Sequence, residues 1–158
     1  MPSSARAPAA ANAPPHVDTV DTQYLESLVG YNARRAALTI IAQFIPRMAP
    51  YDLTPVTLSV LSLVAHNPGI TSRQLCSTLN ILPPNLVGMV AQLEKRGVIE
   101  RLPHPHDRRA AGLHLTPDGE ALVREAELRV SALEEEATSR LTAAERKTLM
   151  RLLQKIYR

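Results

Sequence analysis

The sequence predicts a mainly α-helical fold, and three observations carry that expectation. Apolar residues recur at steps of three and four through most of the 158 residues, which is the period of one helix face. Two short helical stretches, opened at Thr71 and Pro84, are separated by the tight turn Ile81-Leu82-Pro83, the sequence form of a helix-turn-helix. Behind them, residues 93–116 read L-E-K-R-G-V-I-E-R-L-P-H-P-H-D-R-R-A-A-G-L-H-L-T. There a helix ends at Gly97, a short apolar strand follows over Val98-Ile99-Glu100-Arg101-Leu102, and a Pro/His/Arg loop leads to the alternating strand Leu113-His114-Leu115. Helix, strand, basic loop and strand make a β-ribbon wing. The expected fold is therefore a winged helix-turn-helix with a two-stranded wing, flanked by long N- and C-terminal dimerisation helices.

The elements follow in order. From Thr22 to about Met48, Leu25, Val29, Ala33, Ala36, Ile40, Phe44 and Met48 mark one face of a long helix, which Pro46 should kink or end. Thr54-Pro55 offers an N-cap with proline at the first helical position, and that helix stops before Asn67-Pro68-Gly69. Thr71-Ser72-Arg73-Gln74 is a capping-box pattern, with Leu75 and Leu79 facing inward and Asn80 as the stop. The next helix runs from Pro84 to Arg96, with Leu86, Val90 and Leu93 on its core face and Asn85, Met89, Gln92 and Arg96 turned elsewhere. After the wing, Thr116-Pro117 opens a helix to about Ser139 with Leu122, Ala126, Val130, Leu133 and Ala137 in register. Thr142-Ala143-Ala144-Glu145 is a second capping box. It starts a last helix with Leu149, Leu152, Leu153 and Ile156.

These boundaries give an Ala/Pro-rich, disordered leader over 1–19, dimerisation helices over 20–50 and 118–158, and a DNA-binding winged helix over 51–117. The apolar stripes of the terminal helices exceed what a small winged core can cover, and burial between two copies of the chain is the expected remedy. Charge supports separate contact and assembly parts. Between Asp118 and Ala137 seven acids face two arginines, a local balance of −5. The chain as a whole carries +3, so the remainder carries +8.

Composition also excludes. Cys76 is the only cysteine, so no internal disulfide forms, and a reducing cytoplasm fits. No apolar run spans a membrane, and residues 1–15 lack the features of a signal or transit peptide. No G-x-S-x-G, P-loop, dinucleotide or zinc-protease motif is present, so an enzyme is not expected. His104 and His106 stand beside Asp107, but three or four ligands with a second shell are needed and no further partner is evident, so neither metal nor cofactor is expected.

The order of elements resembles the MarR-type transcriptional regulators. The wing is similar to that family's signature: Asp107-Arg108-Arg109, then Leu113-His114-Leu115-Thr116 and Pro117-Asp118-Gly119, preceded by Leu93 to Arg101 at the junction of recognition helix and wing. The likeness covers roughly Leu25 to Leu153. It implies a homodimer on a pseudo-palindromic double-stranded DNA operator, weakened by a small phenolic or carboxylate effector bound where the dimer helices meet the winged core. It also implies that Arg109 enters the minor groove with Asp107 orienting the wing. One departure stands out: where the family usually has a Ser/Thr–Arg pair in mid recognition helix, this chain has Val87-Gly88.

The DNA-facing set expected on this reading is Ser72, Arg73, Pro84, Asn85, Met89, Gln92, Arg96, Arg101, His104, His106, Asp107, Arg108 and Arg109. Asn85 and Gln92 have the donor–acceptor pairs that match adenine, while Arg101 and Arg108 meet phosphates or pair with acids. Tyr31, Arg34, Arg35 and Tyr51 form a candidate effector set, in which arginine forks a carboxylate and tyrosine rings flank an aromatic acid. Two alternatives compete: a non-catalytic helical dimer scaffold, and a redox-sensing regulator acting through Cys76.

Overall fold

The computed structural model describes residues 18–104 and 107–158, and the side chains among these other than those of 104 and 107–110. Of the leader expected over 1–19, residues 1–17 lie outside the described residues. The chain divides into two compact units at Arg34.

The smaller unit holds α1 (Gln23–Glu26) and the start of α2 (Val29–Met48). The single long helix expected from Thr22 is thus broken at Ser27-Leu28. Asn32 closes the break: its side-chain amide donates to the carbonyls of Glu26 (2.7 Å) and Leu28 (2.8 Å). The apolar period runs straight through the break, so the pattern alone conceals it.

The larger unit begins within α2. Pro46 sits inside this helix without ending it at once. The missing N–H removes one ladder bond, and α2 continues to Met48 before tightening into a 3₁₀ turn, Ala49–Tyr51. Asp52 then takes a left-handed conformation (φ 50°) and releases the chain. Thr54 caps α3 (Pro55–His66) in a reciprocal box with Thr57. Thr71 and Gln74 cap α4 (Ser72–Leu79) likewise, and Asn80 ends it at φ 51°. α5 (Pro83–Lys95) follows after three residues.

The wing is β1 (Ile99–His104) against β2 (Asp107–Leu115), antiparallel, with Ile99 opposite Leu115 and Arg101 opposite Leu113. A third piece joins it. Ile70, in the loop between α3 and α4, bridges Leu113: Gly69 N–H donates to Leu113 O and Leu113 N–H to Ile70 O, both at 2.9 Å. Gly112 permits this approach, since a Cβ there would lie 2.9 Å from the Gly69 backbone.

α6 (Pro117–Ala137) and α7 (Ala143–Tyr157) complete the chain, each opened by a threonine cap. The core runs from Phe44 and Met48 through Leu61, Val64 and Leu75 to Leu86, Leu93 and Leu113, and on to Val123, Ala126 and Leu133. α6 therefore contributes to the winged core rather than standing outside it. α7 differs. None of its residues is buried, and Leu149, Met150, Leu152, Leu153 and Ile156 are 38–68% exposed. Among the described residues no single helix is long and apolar enough to cross a membrane.

Candidate nucleic-acid interface

The helix-turn-helix sets α5 with one face on the core and the other in solvent. Leu86, Val90 and Leu93 are fully buried. Pro84, Asn85 and Gln92 are exposed, as is Arg73 on α4, while Ser72 at the start of α4 is half-buried. Two expected contacts are placed differently. Met89 is partly buried against the core, because its position on the helix lies nearer the Leu86–Leu93 face than the pattern of polar neighbours suggested. Arg96 turns back from α5: its guanidinium donates to the carbonyls of Tyr51 (2.7 Å) and Asp52 (2.8 Å) and stands 3.6 Å from the Asp52 carboxylate. The turn at 49–52 leaves those carbonyls without helical partners, and a planar fork of donors suits adjacent acceptors. Arg96 is thus engaged as a strut between α5 and the 49–52 turn.

On the wing, Arg101 pairs with Glu94 of α5 at 2.8 Å, tying ribbon to recognition helix. The backbone of His104 ends β1, and Asp107, Arg108 and Arg109 begin β2. His106, and the side chains of the other four, lie outside the described residues. Among the described residues no three His, Cys, Asp or Glu side chains converge as a metal site. Cys76 is half-buried and packs against the core.

The candidate effector residues fall in both units: Tyr31 and Arg34 in the smaller, Arg35 and Tyr51 in the larger. Tyr51 is already engaged. Its hydroxyl donates to Glu125 of α6 at 2.6 Å, and the Arg129 guanidinium lies 5.5 Å from its ring centroid while donating to Glu125. The Tyr51 hydroxyl, followed by Arg129, holds the Glu125 carboxyl below the usual range, and the same hydrogen bond raises the Tyr51 phenol. Sequence spacing shows the Glu125–Arg129 pair, four residues apart on one helix, but not Tyr51, which is 74 positions away. The acids of α6 repeat this use. Glu127 accepts from Ser62 (2.7 Å) and meets His66 (3.0 Å), and Glu136 pairs with Arg47. The local negative balance fastens α6 to the body.

Arg96→Ala should lower stability by about 1–2 kcal/mol through loss of charge-assisted bonds. It should leave the salt dependence of any DNA binding unchanged. A phosphate contact would instead lower that slope by about one unit, and polarisation titrations at several salt concentrations separate the two.

A MarR family model matches residues 51–110. The chain is 37% identical over 110 residues to the multiple antibiotic resistance protein MarR of Salmonella typhimurium, covering 69% of this chain and 76% of that protein. Among solved structures it is similar to the transcriptional repressor CouR bound to a 23-mer DNA duplex, with 36% identity and a TM-score of 0.82 over 89% of this chain and all of that one. It is also similar to CouR bound to p-coumaroyl-CoA, with 34% identity and a TM-score of 0.77 over 89% and 99% of the two chains.

Proposed function

The chain belongs to the MarR family, whose members are transcription regulators rather than enzymes, and from that premise we propose a ligand-responsive repressor that binds a pseudo-palindromic operator as a homodimer in the cytoplasm. The observation that carries this reading is the exposed recognition helix with its wing, on a chain that follows DNA-bound CouR along that chain's whole length. The uncovered apolar face of α7 supports the homodimer. The effector is a small phenolic or aromatic carboxylate; the p-coumaroyl group of the ligand carried by CouR supports the aromatic part of that chemistry. Tyr31, Arg34, Arg35 and Tyr51 are its candidate contacts. The hydroxyl of Tyr51 is held by Glu125, so the arginines are left to meet a carboxylate.

The test is selection of duplexes from a randomised pool, followed by polarisation titration of the selected duplex. Affinity of about 10⁻⁸ M or tighter, falling steeply with salt, is expected. Arg109→Ala should weaken that binding about tenfold and reduce the salt slope by about one unit, because a cation is withdrawn from a groove of high negative potential. Hydroxybenzoates, cinnamates or p-coumaroyl-CoA should weaken the preformed complex about 5- to 150-fold. A pool from which no sequence is enriched rules the reading out.

A further inference from the structure

The outward face of α5 is unusual for a DNA-reading helix. At 3.6 residues per turn, the face opposite the buried Leu86, Val90 and Leu93 centres on Pro84, Gly88, Ala91 and Lys95. Val87 lies on one flank, with Asn85 and Gln92 on the other. The N-terminal part of such a helix is what reaches base edges. Here that part presents a single polar side chain, Asn85, and, on the opposite flank, an apolar one, Val87, which is 57% exposed.

Gly88 adds a second, independent observation. It lies in mid-helix with ordinary helical backbone, and among the described residues a Cβ there would meet nothing within 4 Å. Among the described residues no turn and no neighbour calls for glycine there, although glycine weakens a helix interior. The missing side chain leaves room only toward the outside, where it lets another surface come close to the backbone. On the floor of the major groove the apolar group is the 5-methyl of thymine.

Resting on the operator-binding reading, we infer that α5 reads its half-site by packing Val87 on a thymine methyl, with Gly88 letting the helix backbone sit close enough to make the contact. The specificity of this helix is thus in part a methyl count rather than a hydrogen-bond match.

The probe is the selected duplex, remade with deoxyuridine in place of thymine at one symmetric pair of positions at a time. Deoxyuridine keeps every hydrogen-bonding group and lacks only the methyl. One pair should prove sensitive. The burial of one methyl-sized group makes the loss about 4-fold per half-site and about 15-fold for the pair. Val87→Ala should bind the thymine and deoxyuridine duplexes equally. Gly88→Ala should raise the melting temperature, since the new Cβ is free of clashes, and yet weaken operator binding several-fold. The inference is overturned if no pair is sensitive, if the sensitivity survives in Val87→Ala, or if Gly88→Ala binds as tightly as the parent. A pool that yields no enriched duplex is a separate outcome, which overturns the operator-binding reading and this inference with it.

Discussion

Gly119→Ala should lower the melting temperature by roughly 6–12 °C, with scanning calorimetry as the measurement. The reason is a knot of backbone where the wing runs into α6. Thr116 N–H donates to the carbonyl of Val98 at 3.2 Å, its hydroxyl donates to the Gly97 carbonyl at 2.5 Å, and the same hydroxyl accepts from Gly119 N–H at 3.1 Å. α6 therefore starts in contact with the start of the wing. A Cβ on Gly119 would land on the Val98 carbonyl oxygen, with the carbonyl carbon at 3.0 Å. Both are main-chain atoms, so no side chain can swing aside, and either the strand or the helix must retreat. Overpacking of this kind costs about 3 kcal/mol, and a chain of this size loses about 2–4 °C per kcal/mol. A melting temperature within about 2 °C of the parent would show that the junction relaxes freely.

Ending the chain after Thr142 should abolish the proposed dimer. α7 buries nothing of its own, yet it carries Leu149 (41% exposed), Leu152 (48%) and Ile156 (68%) at helical spacing. A contiguous apolar surface of this kind is rarely left to water. Light scattering should report a monomer or an insoluble product. Operator affinity should fall more than about 100-fold, because the second half-site is then no longer held at the high effective concentration that linkage provides. A truncated chain that stays dimeric would place the interface elsewhere.

Local chemistry was readable from the sequence wherever partners lie a few residues apart. The capping boxes at Thr71–Gln74 and Thr142–Glu145 form as their spacing demands, and Asn80 stops α4 in the left-handed region. Leu86, Val90 and Leu93 point inward as their period requires. What escaped the sequence was long-range or steric. Arg96 has the helix position of a groove contact, but its reach takes it to carbonyls 44 and 45 residues back. The Ile70–Leu113 bridge is a single residue pair with no strand pattern to announce it. Gly119 looked like part of a helix-opening motif, and its need for a bare Cα is visible only once Val98 lies against it.

The polar ties along α6 make that helix a lever. Tyr51, Ser62 and His66 fasten its middle to the helical body, and the Thr116 knot fastens its first turn to the wing. Body and wing must then swing together when α6 tilts. Its 21 residues span roughly 30 Å. A tilt of about 5° about one end carries the other end about 2.6 Å, close to the 3.4 Å step between neighbouring bases on a strand. In a two-fold pair, where each copy swings in the opposite sense, a tilt of a few degrees would throw the two readers out of register by more than one base. Such gearing would let an effector much smaller than the operator decide whether both half-sites are read or neither.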